Sequence, residues 1–436
     1  MKTLFVRIVD CFLLILVLLQ PALTQQTPPQ QISAFDRDRT TDMLKVIAAD
    51  IRKHYYDPKF HGLDWDARID EAKQKIVASP SLNMALSHIA GALDALNDSH
   101  TFFLPPPRPY RHDYGFRMLM VGDHCYVTVV RPQSDADGKG LKPGDEILSV
   151  NGFHPTREDF WRMEYVFNTL RPQPSLRLDV RSPSGAERQL EVVTKMRETT
   201  LVKDFNIWDL VRASESDYRL HRPHYVELGD LMVLKVPEFS FTDAEAADMI
   251  NRAQKHKALI LDLRSNPGGT VDSLKALLGA IFENDIKLGD RIDREGSKPL
   301  VAKSRHSPFK GKLAVLIDSY SASASELFAR VIQIEKRGSV VGDHSSGSVM
   351  EARQFVYQTG TDVVSFYGAS ITDADLIMTD GKSLEHVGVT PDEVLVPAPA
   401  DLAEARDPVM AHVAETLGFK VSPEDAGKFF PYEWPK

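Results

Sequence analysis

Between residues 231 and 341, short apolar runs alternate with stretches of helical periodicity, and this alternation restricts the possible folds more than any other feature of the chain. Residues 231–236 read as a strand, 243–254 as a helix, 258–263 as a buried strand and 271–282 as a helix. Residues 312–317 then read as a strand and 323–334 as a helix, with Val340 and Val341 opening another strand. Strands and helices in strict succession predict an α/β unit. Residues 407–417 read as a helical tail.

The chain has 436 residues, too many for one compact core, so two or three domains are expected. Upstream, Met43, Leu44, Ile47, Ala48 and Ile51 fall on one face of a helix over 40–56, and similar patterns recur over 65–78 and 82–96. These predict a small helical N-terminal domain that ends at Asn97-Asp98-Ser99-His100-Thr101. A stiff Pro-rich linker over 105–109 follows. Residues 114–195 read as a separate β-rich module, with strands at 124–130, 146–150, 175–180 and 188–193. The expected division is therefore 1–24, 25–109, 110–198 and 199–436.

Residues 1–24 have the layout of a secretory signal: Lys2 and Arg7 first, then the apolar run 12–19, then Pro21-Ala22-Leu23-Thr24. That run is too short to span a bilayer comfortably, so the expected product is exported, periplasmic or secreted, with no stable membrane span after cleavage, the alternative being an uncleaved anchor. Its loss leaves Cys125 alone, which rules out an internal disulfide and a cysteine metal cluster. Cys125 lies in an alternating apolar run and reads as core. A net charge of −9 with both signs interspersed gives no basic footprint for nucleic acid.

Two segments carry candidate chemistry. In the first, the buried strand runs into Arg264-Ser265-Asn266-Pro267-Gly268-Gly269, a turn that can present backbone amides to an oxyanion. In the second, Asp318-Ser319-Tyr320-Ser321-Ala322-Ser323-Ala324-Ser325-Glu326 lies between a strand and a helix. A serine there is exposed, and the helix start favours developing negative charge. Taken singly, the first could be only a turn and the serines only helix caps.

Together, and in this order, they resemble the family of C-terminal processing peptidases and the tricorn core protease, with its D-L-R-x-N-P-G-G and S-A-S-A-S-E motifs. The late segment from Leu384-Glu385-His386 to Asp392 fits the same pattern. The stretch Gly140-Leu141-Lys142-Pro143-Gly144-Asp145 to Asn151-Gly152 resembles PDZ domains, which places Gly115 and Phe116 in a carboxylate-binding loop. The resemblance implies a crotonase/Clp-protease-like α/β catalytic core, a helical N-terminal domain and an inserted PDZ-like domain. It also implies polypeptide substrates and no metal or organic cofactor. By the same resemblance Ser323 is the nucleophile, with the amides of Ala324 and of Gly268 or Gly269 as oxyanion hole.

Many relatives take the proton with a lysine in a turn that corresponds here to residues 340–348, but Ser348 stands in its place. A serine nucleophile needs a base. The histidine-dependent, tricorn-like branch supplies one from a Ser-His pair, matched here by Ser99-His100, with Glu385 as acid and Asp380 as second candidate. His344 is a rival base close in sequence, while Asp262 and Arg264 read as turn-fixing residues. The missing lysine also leaves room for a non-catalytic ligand-binding protein, as in retinoid-binding relatives, or a PDZ-centred scaffold.

Overall fold

The computed structural model describes residues 32–198, 221–305, 307–360 and 365–434; the expected signal segment 1–24 and residues 25–31, expected as a polar linker, lie outside them. At its centre is a six-stranded sheet in the order Glu393–Val394, Ser339–Gly342, Lys312–Ile317, Ala258–Asp262, Leu231–Lys235, His224–Leu228. All neighbours are parallel except the last pair. Both faces are covered, as a parallel sheet requires. Met232, Leu234, Leu259, Leu261, Val315 and Ile317 point into one core beneath the helices Asp243–Ala253, Val271–Ile281 and Ala324–Ile334. The alternate residues Leu231, Val233, Ala258, Ile260, Ala314 and Leu316 face a second core against the helix Pro408–Leu417.

The helices Ala34–His54, Trp65–Ala78 and Leu82–Asp94 begin at Ser33, Asp64 and Ser81, whose side chains accept from backbone amides of the first turn. Their core includes Phe103, Tyr367, Ala369 and Ile371. The strand Phe102–Leu104 pairs antiparallel with Ser365–Met378, a 14-residue strand absent from the expected elements. The helical segment therefore shares its core with chain that comes nearly three hundred residues later, and this places residues 98–101 beside the end of the molecule's C-terminal half.

Residues 116–193 form a five-stranded antiparallel sheet in sequence order, Phe116–Val121, His124–Val130, Glu146–Val150, Ser175–Arg181 and Glu187–Val193. The helix Phe160–Tyr165 packs on it through Phe160 and Met163. The chain enters and leaves this module side by side, because Tyr110–Asp113 pairs with Lys195–Glu198. Cys125 is buried in its core, which pushes the thiol up and fits the packing role expected for it. Gly144 has φ +85° and abuts Pro399, where a Cβ would meet the carbonyl oxygen at 2.4 Å.

Arg264 ties the sheet to the C-terminal helix. Its guanidinium holds Asp262 at 2.9 Å and Asp407, the cap of Pro408–Leu417, at 2.7 Å. Without Arg264 the buried Asp262 keeps only Lys235, at 3.3 Å, as a cationic partner among the described residues, and Asp407 loses its tie to the sheet. Arg264→Ala is expected to cost about 3 kcal/mol, read as a lower urea midpoint at unchanged slope.

Candidate active site

The two turns singled out in the sequence leave the carboxyl ends of neighbouring parallel strands, where sheets of this kind bind ligands. Asn266, fully buried, fastens one to the other. Its carbonyl oxygen accepts from the amide of Ala322 and the hydroxyl of Ser325, each at 3.0 Å. Its side chain donates to the Val236 carbonyl and accepts from the Gly268 amide at 2.8 Å. Contact is closest at Gly268, where an added Cβ would lie 2.6 Å from Ser323 Cβ and 3.1 Å from the Ala324 nitrogen.

Of the two expected oxyanion glycines, then, Gly268 already spends its amide on Asn266. The amides of Gly269 and Ala324 have no hydrogen-bond partner among the described residues. Gly269 has φ +140° and touches the Phe239 carbonyl, where a Cβ would come within 2.2 Å. No side chain fits there.

Ser323 sits just before the helix Ala324–Ile334 at φ 55°, ψ −119°, a conformation that non-glycine residues avoid. Two bonds to its amide hold it: one to the Ser348 carbonyl at 2.7 Å and one to Glu326 Oε2 at 2.9 Å. Ser321 and Ser325 are buried and bond the neighbouring turn, as helix-start residues should.

Glu326 has no exposed surface and accepts four hydrogen bonds, from the amides of Ser323, Gly347 and Ser348 and the hydroxyl of Ser345. Burial nevertheless pushes its carboxyl up to about 7 against those donors. In the sequence this glutamate is only the last letter of a motif, with no role of its own. Its position three residues into a helix, behind the key serine, was the available signal.

Ser99, His100 and Glu385 come together as expected. His100 Nδ1 lies 2.7 Å from Ser99 Oγ, which donates to Glu385 Oε2 at 3.0 Å. Glu385 Oε1 accepts from the Ser99 amide at 2.7 Å. Because the Ser99 hydroxyl proton points at the carboxylate, its oxygen accepts from His100 Nδ1–H, and Nε2 is left as the basic nitrogen. Burial raises the Glu385 carboxyl, while the amides of Val349 and Ser99 oppose the rise. His100 keeps a partly exposed edge, yet burial pushes it down to about 4, with the neighbouring Asp98 pulling the other way. Asp98 Oδ1 also accepts the amides of His100 and Thr101 and so fixes their turn.

Consecutive residues of one loop join the two halves. The Ser348 carbonyl holds the Ser323 amide, and the Val349 amide donates to Glu385 Oε2 at 3.0 Å. The position of the absent lysine thus touches the expected nucleophile, through its backbone. Among the described residues no hydrogen bond joins Ser323 to His100. The other candidates lie elsewhere: Asp380 pairs with Arg330, and His344 contacts Thr390 at 3.3 Å. In the β module, the Gly115 amide donates to Asp113 Oδ1 at 3.0 Å, and Phe116 is buried at the start of an edge strand. Gly115 therefore does not present its amide to an incoming carboxylate. Among the described residues no cluster of His, Cys, Asp and Glu could hold a metal ion.

Residues 230–395 match the model of peptidase family S41. That segment is similar to an S41 peptidase domain. Curated relatives of the chain include carboxyl-terminal-processing peptidase 3, chloroplastic, of Arabidopsis thaliana, 25% identical over 78% of this chain and 66% of that protein. The tail-specific protease of Haemophilus influenzae is 26% identical over 60% of this chain and 38% of its own length. The carboxy-terminal processing protease CtpB of Bacillus subtilis is 25% identical over 59% of this chain and 53% of its own. The chain thus spans less than two thirds of the length of each. Mature CPAF shares the fold with TM-score 0.64 at 17% identity, covering 85% of this chain and 95% of that one. The photosystem II D1 C-terminal processing protease does so with TM-score 0.53 at 19% identity, covering 90% of this chain and 100% of that one.

Two outcomes follow for labelling of Ser323 by a fluorophosphonate. Glu326 can accept four bonds only as a carboxylate, and a proton gained below about pH 7 finds no acceptor. The labelling rate should therefore fall as pH drops through about 7, although His100 stays neutral down to about 4. A rate–pH profile with its only limb near 4 would remove Glu326 from the account. Gly268→Ala, which drives a methyl into Ser323, should slow labelling about a hundredfold.

Proposed function

We propose that the chain is an exported serine endopeptidase or C-terminal processing peptidase of the histidine-dependent, tricorn-like kind, acting through an acyl-enzyme. The observation that carries this reading is the loop 348–349, which fastens the strained Ser323 and the Glu385–Ser99–His100 relay to each other. A scaffold that merely bound a ligand needs neither a strained serine nor free amides beside it.

In the proposed reaction, Ser323 Oγ attacks the carbonyl carbon of a peptide bond and gives its proton to His100 Nε2. The amides of Gly269 and Ala324 receive the negative oxygen. His100 passes the proton to the departing amine as the C–N bond breaks, leaving an ester on Ser323. Water, deprotonated by His100, then hydrolyses that ester. Each imidazolium so formed is held by Ser99, whose hydroxyl relays the charge of Glu385, and by the nearby Asp98. Substrate closes the remaining gap between serine and histidine, as hydrogen bonds in free enzymes often tighten only in the complex.

In this reading residues 110–198 are a PDZ-like domain inserted before a crotonase/Clp-protease-like core that runs from about residue 199, with a linker and helical N-terminal domain over 25–109. The five antiparallel strands with one packed helix, and paired entry and exit strands, support the insertion. Export rests on residues 1–24, and no helix among the described residues is long and apolar enough to cross a membrane.

Hydrolysis of an unfolded polypeptide and fluorophosphonate labelling test the proposal together. Ser323→Ala should abolish both, and His100→Ala should lower hydrolysis by about 10⁴-fold in a folded chain. Ser348→Ala should change little, since among the described residues its side chain bonds only Ser346 and its backbone makes the contacts with the site. A folded wild-type chain that neither labels nor cleaves would favour the inactive scaffold.

A further inference from the structure

Residues 429–434 cross from the catalytic domain to the β module. Phe429 and Phe430 pack against the core beneath Pro408–Leu417. Beyond Pro431, the Tyr432 hydroxyl accepts from Arg117 Nε at 2.8 Å, and the Arg117 guanidinium lies 5.9 Å from the same ring's centre. Arg131 stacks over Trp434 at 4.4 Å while also pairing with Asp113 at 3.1 Å. The two rings meet edge to face at 5.0 Å. Residues two apart share a side of an extended segment, so the tail shows both rings to the module at once.

Arg117 lies on Phe116–Val121, the edge strand of the module's sheet. Three residues on, about 10 Å along an extended strand, the Met120 carbonyl accepts from Ser319 Oγ at 2.5 Å. Ser319 opens the turn that carries Ser323. One strand therefore touches the tail at one end and the nucleophile turn at the other. Arg117, Met118, Ala322, Ser348, Tyr432 and Trp434 all line a single cleft. An extended polypeptide that approached Ser323 along this edge would meet the tail's rings.

We infer that Arg117 and Arg131 form a recognition site for extended polypeptide bearing aromatic side chains two residues apart, and that the chain's own Tyr432 and Trp434 fill it as a built-in competitor. Cation–π contact selects rings of any sequence context, and the charge on each arginine is not cancelled by an aromatic partner. The competition with substrate rests on the peptidase reading; the recognition site does not.

The test measures fluorescence anisotropy of a labelled peptide with the sequence of residues 428–434 against the full chain carrying Ser323→Ala. Adding Tyr432→Ala and Trp434→Ala should tighten binding about tenfold, by vacating the site. Adding Arg117→Ala and Arg131→Ala to that chain should abolish binding, as should alanine at both aromatic positions of the peptide. In the chain with Ser323 intact, Tyr432→Ala with Trp434→Ala should lower KM for unfolded polypeptide. Equal affinity with and without the tail rings, or equal binding of the alanine peptide, would overturn the inference and leave the tail as a strut, as would loss of thermal stability in the tail variant without any gain in affinity. If the peptide binds as expected but the intact chain does not hydrolyse polypeptide, the peptidase reading fails and the recognition site stands.

Discussion

A carboxylate with no solvent-exposed surface governs the local order of this molecule. Glu326 belongs to the first turn of a buried helix, yet its four donors come from two places: the residue before that helix and the loop 345–348. Burying a charge is unfavourable unless it is paired or fully hydrogen-bonded. Neither segment can move without stranding that charge. The strained backbone of Ser323 persists because both acceptors of its amide are held by the same arrangement. Asn266 does the neutral counterpart of this work on the other side, so the serine turn is clamped between an amide hub and a carboxylate hub.

The β module is bolted to the same loop. Arg157 bonds Asp343 and the His344 carbonyl, and the Gly122 amide donates to Asp343 at 2.8 Å. Asp343 and His344 immediately precede the residues that grip Glu326. Displacement of the module would thus be felt first at the loop that positions Ser323, through bonds to a nearly buried aspartate.

Much of this was legible in the sequence, for a physical reason. Strands covered on both faces are apolar throughout, so Ala258–Asp262 and Lys312–Ile317 stood out, and amphipathic helices declared themselves by period. The strand Ser365–Met378 did not, because it carries Thr372, Asp373 and Asp375. Asp373 lies buried between Arg291 and Arg353, partners that only the fold supplies. The site divides in the same way. The meeting of Ser99, His100 and Glu385 was expected from the family resemblance and its motif order. Which glycine has a free amide could not be read from either, since that depends on where the Asn266 side chain turns. Nor could the role of Glu326, which is defined by a loop some twenty residues away.

The bond between Ser99 and Glu385 spans 286 positions of chain. Serine turn and histidine turn belong to different cores, and the glutamate that aligns them arrives after both. A ribosome-bound fragment ending between Ser323 and that glutamate has the serine and the histidine but lacks the carboxylate that orients His100 through Ser99, and contacts so distant in sequence form late in folding. The order of the polypeptide thus acts as a timer: the histidine turn is aligned only after the chain through Glu385 has been made.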